Sequence, residues 1–293
     1  MSTEFDNSWG ALLNPGKATQ YFNIDYPKLS LDASAYSSST ALWLAELSRL
    51  IYRKDKNKQN KLIVPNRSEI LNKVSLQETR FFSQRHTTGA IIECQENVLD
   101  PFAVLVFRGT QESQDWFTNL NTLPIRWSAE GGRVHRGFKN ALEQVWPIVE
   151  TYLSTLTVPV FYTGHSLGAA LATLAAARRP PQALYTFGTP RVGDAEFSQI
   201  FGNIKAYRIV NHRDLITTVP LAALGFCHVG ELHYITHDNK MLITPHEEVV
   251  VADRKKTNFT WQNRVDYSRW SDPPECLSDH APVNYVALLE RQL

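Results

Sequence analysis

Three residues in the middle of the chain have the types and the spacing of a nucleophilic serine site. Gly164, Ser166 and Gly168 form a G-x-S-x-G pattern. An apolar, β-prone stretch precedes this pattern over residues 158–162, and an alanine-rich stretch of high helix propensity follows it over residues 169–179. A strand, a tight glycine-flanked turn and a helix together form the setting in which a serine hydroxyl is exposed as a nucleophile.

The two glycines follow from the geometry of such a turn. The serine lies on a strained backbone, so the residues two positions away on either side must lack bulk. The helix that begins after Ser166 directs its free N–H groups toward the serine, where they can hold an oxyanion. The sequence therefore predicts a serine nucleophile at position 166 with an oxyanion site beside it.

A serine hydroxyl is a poor nucleophile unless a base takes its proton and an acid orients that base. In folds with this kind of turn, the acid and the histidine follow the serine in that order along the chain. Asp214 is the preferred acid, because it lies in the loop after a predicted strand at residues 206–210. Asp194 lies in a turn and is expected to be a turn or helix-cap residue, while Asp253 and Asp266 follow no predicted strand.

The base must be sought among the histidines that follow Asp214. There are five of them: His228, His233, His237, His246 and His280. His280 lies in a loop directly before the last predicted helix, at residues 283–291, which is where the base of such a site should come. Position alone does not separate His280 from the other four.

Strand and helix patterns alternate through the chain, as expected of a mostly parallel central sheet with helices on both faces. The predicted strands lie at residues 89–94, 102–107, 158–162, 183–188 and 206–210, with a hairpin at 232–235 and 241–244. The predicted helices lie at residues 41–51, 66–74, 134–156, 169–179 and 283–291. We expect an α/β fold in one domain over residues 1–293, with the polar, turn-rich residues 1–35 as a peripheral segment.

Composition limits the classes of protein that fit. The 293 residues carry a formal net charge of +1, so no excess of positive charge indicates a nucleic-acid partner. Three widely spaced cysteines, Cys94, Cys227 and Cys276, show neither the pattern of a disulfide framework nor that of a metal site. No apolar run approaches transmembrane length. The first 17 residues contain no apolar core of a signal peptide, so we expect a cytoplasmic protein or export without a cleavable signal.

Several further motifs occur in a fixed order, and together the chain resembles the class 3 lipases, the fungal-type triacylglycerol lipase family of the α/β-hydrolase fold. The motifs lie at residues 107–110, 115–120, 134–138, 164–168, 186–194, 208–214, 225–230 and 279–280, with Tyr285 beyond them. They cover about residues 85–290. Their joint occurrence is more specific than the G-x-S-x-G pattern alone. One departure is the stretch 215–218, which separates Asp214 from a Val-Pro pair that follows the acid almost at once in the fungal members.

The resemblance implies roles for individual residues. Ser166 would be the nucleophile, Asp214 the orienting acid and His280 the general base. The backbone N–H of Thr110, with its hydroxyl, and the backbone N–H of Leu167 would form the oxyanion hole. The role of Leu167 also follows from the general rule that the residue after the nucleophile donates there.

The function implied is a serine ester hydrolase acting on acyl lipids, in the first place a triacylglycerol lipase that works through an acyl-enzyme. No metal or organic cofactor is required, and the expected partner is a lipid ester at an oil–water or membrane surface. Two alternatives use the same triad: a phospholipase A1 and a short-chain carboxylesterase. A third is a lipase-like interaction module without catalysis. The oligomeric state does not follow from the sequence.

Residues 111–127 carry more apolar surface than an ordinary solvated loop. The resemblance implies a lid here, with Trp116, Phe117 and Leu120 in contact with substrate. Helical spacing would place Trp116 and Leu120 on one face. The alternative is that this face packs on the core of the domain. A lid would open at a lipid surface, so turnover would rise steeply once an ester substrate passes its solubility limit.

Overall fold

The computed structural model of the protein describes residues 2–57, 59–110, 123–128, 131–256 and 272–293. The statements below concern these residues. Within them no helix combines the length and apolar character needed to cross a bilayer.

An eight-stranded sheet forms the centre of the described chain, in the order β1-β2-β3-β6-β7-β8-β9-β10. The strands from β3 to β9 pair in parallel, and the outer pairs on both sides are antiparallel. A separate two-stranded sheet joins β4 and β5. The strands are β1 Leu76–Gln84, β2 Thr87–Cys94, β3 Ala103–Phe107, β4 Pro124–Arg126, β5 Arg133–His135, β6 Val160–His165, β7 Ala183–Phe187, β8 Ala206–Asn211, β9 Glu231–Ile235 and β10 Met241–Ile243.

Helices cover both faces of this sheet. They are α1 Trp9–Leu13, α2 Ser38–Leu50, α3 Arg67–Asn72, α4 Arg136–Leu153, α5 Leu167–Arg178, α6 Ala195–Gln199, α7 Glu247–Arg254, α8 Glu275–Ser278 and α9 Pro282–Glu290. Short 3-10 turns lie at Pro15–Lys17, Ile200–Asn203, Leu215–Thr218 and Ala222–Leu224. The predicted α/β-hydrolase architecture, a mostly parallel sheet between helices, is confirmed.

Each face of the sheet has its own hydrophobic core, as the two-residue period of a strand requires. In β3, Val104 and Val106 pack toward α2 and α9, while Leu105 and Phe107 pack toward α4 and α5. The alanine-rich α5 is buried along its length, which lets it lie close to the sheet. This close packing fixes the first turn of α5 relative to the strands that support Ser166.

Several local predictions were wrong in detail. The strand β1 was not predicted; it is an edge strand with many exposed side chains and an irregular register near Glu78 and Arg80, which hides its alternation. Helix α4 begins at Arg136, not at residue 134, because residues 133–135 pair with β4 instead. Helix α3 is shorter than predicted, and the short helices α1, α6, α7 and α8 were missed. The hairpin of β9 and β10 is confirmed.

The N-terminal segment is hydrogen-bonded to the C-terminal helix α9. The backbone N–H of Asp6 donates to Asn284 Oδ1 at 2.9 Å, and the Thr3 hydroxyl donates to Glu290 Oε1 at 2.7 Å. Leu29 and Ala33 are buried in the core beneath α2. This segment therefore contributes to one of the two cores, and that residues 1–35 form a peripheral segment stays a prediction. That the chain forms a single domain stays a prediction.

Candidate active site

Ser166 lies on the sharp turn between β6 and α5. Its backbone has φ 62° and ψ −128°, a region that side-chain-bearing residues rarely adopt. The residue is only 5% exposed, and its N–H donates to the carbonyl of Phe187 in the neighbouring strand β7 at 3.0 Å. The strained turn predicted from the G-x-S-x-G pattern is therefore present.

The two glycines of this pattern are needed for close backbone contacts. A Cβ at Gly164 would overlap the backbone of Gly168, and a Cβ at Gly168 would overlap the backbone of Phe107 at the end of β3. The loop after β3 is equally close to the serine: a Cβ at Gly109 would lie 3.1 Å from the Cβ of Ser166. The turn, helix α5 and the 108–110 loop therefore form one tightly packed unit.

Asp214 and His280 form a buried hydrogen-bonded pair. Asp214 lies in the loop after β8, and His280 lies between α8 and α9. The Nδ1 of His280 is 2.8 Å from Asp214 Oδ2. Both residues are buried, Asp214 completely. The structure thus brings together an acid and a histidine that are separated by 66 residues in the chain.

Asp214 is held as an anion by its donors. The Tyr285 hydroxyl donates to Oδ2 at 2.6 Å, and the backbone N–H of Ile216 donates to Oδ1 at 2.9 Å. Burial acts to raise the pKa of Asp214, but His280 and Tyr285 outweigh it and hold that pKa below its usual value. Burial, together with the Asp214 charge, raises the pKa of Tyr285 well above its usual value, so this phenol remains a donor.

The loops that carry the acid and the histidine are also joined through their neighbours. The backbone N–H of Arg213 donates to Asp279 Oδ2 at 3.0 Å, and the Asn211 amide donates to the Asp279 carbonyl at 2.9 Å. These contacts hold the two loops together independently of the hydrogen bond between Asp214 and His280.

A contact between the rings of His165 and His280 places His280 beside the serine turn. The ring centres of His280 and His165, the residue before Ser166, are 4.4 Å apart. The Nε2 of His165 lies 2.7 Å from the carbonyl oxygen of His280, and its Nδ1 lies 2.9 Å from the Tyr52 hydroxyl. Burial, with a smaller contribution from His280, lowers the pKa of His165 to about 3. The His165 ring is therefore neutral at physiological pH.

Because the His165 ring is neutral, it donates one hydrogen bond and accepts one, and its partners decide which nitrogen does which. A carbonyl only accepts, so the proton of His165 resides on Nε2 and is donated to His280. The Nδ1 then accepts from the Tyr52 O–H, and the Tyr52 oxygen in turn accepts from the N–H of Gly109. A continuous buried chain thus connects the 108–110 loop, the serine turn and the loop of His280. Sequence analysis missed this function of Tyr52, because nothing near Tyr52 in the chain marks it.

We expect Tyr52→Phe to lower kcat about tenfold with little change in KM, because the hydroxyl orients the site without touching substrate. The free energy of unfolding should fall by about 2 kcal/mol, since a buried imidazole nitrogen and a buried N–H lose their partner. Steady-state kinetics and thermal unfolding would measure the two effects.

A matched control is Tyr234→Phe, which deletes another buried hydroxyl, one that donates to Asp253 at 3.0 Å. That variant should lose stability but keep its kcat. Equal kinetic losses in both variants would show that the Tyr52 hydroxyl has only a general structural function.

The two residues predicted for the oxyanion hole lie in different elements: Leu167 directly follows Ser166, and Thr110 follows Gly109, which is packed against the serine. Leu167 is the first residue of α5, so its N–H belongs to the unpaired first turn of the helix. Thr110 follows Gly109, and its Oγ1 is buried without a hydrogen-bond partner among the described residues. A buried hydroxyl without a partner is costly unless a ligand supplies one. This favours a hydroxyl that meets the substrate.

Thr110→Val tests that interpretation. We expect kcat to fall about 10²-fold with KM little changed, as for the loss of one donor to the developing oxyanion. Thr110→Ser, which keeps a hydroxyl, should restore most of the rate. If Thr110→Val has wild-type kinetics, only the backbone N–H of Thr110 donates to the oxyanion. If only its melting temperature falls, the hydroxyl stabilises the loop and has no part in catalysis.

The other candidates from the sequence lie elsewhere. The side chain of Asp194 caps α6 by accepting from the N–H of Phe197 at 2.9 Å, which confirms its predicted function as a cap. Three histidines have other partners: His228 lies 2.9 Å from the carbonyl of Thr217, His233 2.7 Å from Glu231, and His237 2.7 Å from Asp253. His246 is exposed at the start of α7. Asp266 and the predicted lid residues Trp116, Phe117 and Leu120 lie outside the described residues.

Fold and site geometry together define an α/β-hydrolase. Comparison with known proteins agrees: residues 104–224 match the family model described as lipase (class 3). The chain belongs to the class 3 lipase family.

Two fungal enzymes illustrate the similarity. A lipase of Rhizomucor miehei is 34% identical over 152 residues, which cover 46% of this chain and 42% of that enzyme. A lipase of Rhizopus niveus is 30% identical over 189 residues, covering 57% and 47%. The chain thus spans less than half the length of these two curated relatives. The solved structure of the Rhizomucor miehei triacylglyceride lipase aligns with 58% of this chain and 70% of that one, at 30% identity and a TM-score of 0.51.

Proposed function

We propose that this protein is a lipase, a serine ester hydrolase of acyl lipids that uses Ser166, His280 and Asp214 as its triad. The observation that carries the proposal is the buried Asp214–His280 pair, 2.8 Å between Oδ2 and Nδ1, next to the strained turn of Ser166. Family membership supports it, and the name of the Rhizomucor miehei relative favours a triacylglycerol as the first substrate to try.

The proposed reaction passes through an acyl-enzyme. The Nε2 of His280 takes the proton of Ser166 as Oγ attacks the ester carbonyl, and the negative charge moves to the carbonyl oxygen. The N–H groups of Thr110 and Leu167 hold that oxyanion. His280 then gives its proton to the leaving alcohol, and water repeats the sequence to release the fatty acid. Asp214 stays ionised and keeps the His280 proton on Nδ1.

Labelling with a fluorophosphonate and hydrolysis of lipid esters test this function. Folded wild-type protein should be labelled and Ser166→Ala should not. The wild type should also release fatty acid from emulsified triacylglycerol and from p-nitrophenyl esters of increasing chain length. An unlabelled, inactive but folded wild type would favour the interaction module without catalysis. The emulsion series, carried through the solubility limit of the substrate, tests action at a lipid surface.

A further inference from the structure

A cavity of about 580 Å³ opens directly beside the 108–110 loop. Tyr52, Gly109 and Thr110 contribute to its wall. Since Gly109 is packed against Ser166, the cavity and the proposed nucleophile share one loop. A molecule in the cavity therefore lies next to the site of ester cleavage.

Basic side chains surround this cavity. Its lining includes six of them, from four separate parts of the chain: Lys17, Lys54, Lys56, Arg85, His86 and Arg108. No aspartate or glutamate is found among the described residues that line it. The whole chain carries 30 lysines and arginines against 29 acidic residues, so this accumulation is local and does not follow from composition. Such a concentration of one sign of charge attracts an anion.

The three lysines and Arg85 of this cavity are not neutralised by the described part of the protein. These four residues form no ion pair with a described carboxylate: Lys17, Lys54, Lys56 and Arg85. The only acidic residue within 54–61, Asp55, is directed to Arg67 instead, at 2.8 Å. Lys54 and Lys56 thus contribute two ammonium groups to the cavity that are paired with no described carboxylate.

Charge and position together select the ligand. The carbonyl that Ser166 attacks lies at the serine, and the cavity that would attract an anion shares the 108–110 loop with it. A glycerophospholipid carries its acyl ester and its phosphate on one glycerol unit, so both groups can be bound at once. No described lining residue offers a carboxylate to a choline or ethanolamine cation, which favours a headgroup with a net negative charge.

We propose that this cavity binds the phosphate of an anionic glycerophospholipid and so adds such lipids to the substrates of the enzyme. The inference rests on the proposed ester hydrolysis and specifies its substrate class. Lys54 and Lys56 would contribute as mobile, hydrated charges whose effect declines with salt.

The experiment compares three short-chain substrates below their micelle-forming concentrations, so that adsorption to a surface plays no part. These are dihexanoylphosphatidylglycerol, dihexanoylphosphatidylcholine and dihexanoylglycerol. In Lys54→Gln/Lys56→Gln, we expect kcat/KM for phosphatidylglycerol to fall about tenfold relative to dihexanoylglycerol, because two partly screened charge contacts are lost. The fall for phosphatidylcholine should be smaller. Raised salt should reduce the wild-type preference for phosphatidylglycerol.

Two further variants separate the site from general charge effects. Lys54→Arg/Lys56→Arg should keep the preference. Lys73→Gln/Lys255→Gln removes the same charge from two exposed lysines outside the cavity and should also keep it. Equal losses in the two Lys→Gln pairs, or the same substrate ratio in every variant, would overturn the proposal. Competitive inhibition by inorganic phosphate alone, without a preference for phosphatidylglycerol, would show a free phosphate site and also overturn it.

Failure of the proposed ester hydrolysis gives a different pattern. If none of the three substrates is hydrolysed, the proposed ester hydrolysis is wrong. A binding measurement then tests whether the cavity binds the anionic lipid. Calorimetry with Ser166→Ala should show binding of dihexanoylphosphatidylglycerol that Lys54→Gln/Lys56→Gln weakens about tenfold. Hydrolysis of dihexanoylglycerol with no preference for the anionic lipid would leave the lipase standing and remove only the cavity proposal.

Discussion

Ser166→Ala and His280→Ala are each expected to lower kcat on a soluble ester by about 10⁶, because the members of a triad act as a unit. Without the Ser166 hydroxyl no acyl-enzyme can form. Without the His280 imidazole the hydroxyl keeps its proton and the leaving alcohol receives none. Removing both side chains together should cost little more than removing one, which kinetics of the double variant would measure.

The fold should survive both substitutions. Ser166 loses only a hydroxyl, and the His280 backbone carbonyl that receives the His165 proton remains in His280→Ala. Melting temperature and near-ultraviolet circular dichroism check this point.

His246→Ala provides the matched control, since it removes an exposed histidine at the start of α7. That variant should keep wild-type kinetics. If His280→Ala stayed within tenfold of the wild type, the assignment of the base would be wrong. Of the other four histidines after Asp214, His228, His233 and His237 are engaged with other described groups and His246 is exposed, so none of the four is a ready substitute.

The serine turn could be predicted from sequence because its constraints are local. A strained residue between a strand and a helix needs glycines two positions away, and these requirements fall within five consecutive residues, 164–168. Asp214 was selected by its place after a predicted strand, whereas order along the chain left five histidines open and the family resemblance selected His280. Only the fold shows that His280 meets Asp214.

Tertiary contacts explain what the sequence did not reveal. Tyr52 and His165 are 113 residues apart, and no local pattern connects them. The basic cavity combines Lys17, the residues near Lys54 and the residues near Arg85, which belong to a 3-10 turn, a loop and a hairpin turn. Each of these basic residues, taken alone, would be an ordinary solvated charge. Only the folded structure shows that these residues line one cavity and can act together.

Asp214→Asn is expected to lower kcat by about 10⁴, because the amide cannot keep the His280 proton on Nδ1. Asp214 accepts three hydrogen bonds: from His280 and Tyr285 at Oδ2, and from the N–H of Ile216 at Oδ1. An asparagine has one acceptor oxygen and one donor NH₂ for these positions. Neither orientation of the amide can satisfy all three donors.

The consequences of the two orientations differ, but both impair the site. With the NH₂ toward His280, that group donates to Nδ1, so the imidazole proton moves to Nε2 and the ring cannot accept the proton of Ser166. With the oxygen toward His280, the NH₂ faces the Ile216 N–H, and the loop after β8 must shift. The loss of a buried anion also removes the charge that stabilises the imidazolium formed during the reaction.

Asp253→Asn is the control that separates this effect from the loss of any buried carboxylate. Asp253 is also buried and accepts from Tyr234 and His237, but it makes no hydrogen bond to His280. We expect Asp253→Asn to lower the melting temperature while kcat stays within a few-fold of the wild type, which thermal unfolding and steady-state kinetics would measure. In Asp214→Asn the loss should lie in kcat, with the KM for a soluble p-nitrophenyl ester nearly unchanged, since the carboxylate orients the base and does not touch the substrate. A loss of less than tenfold in a folded Asp214→Asn protein would mean that His280 is oriented by other groups, of which the hydrogen bonds around Asp279 and His165 are the candidates.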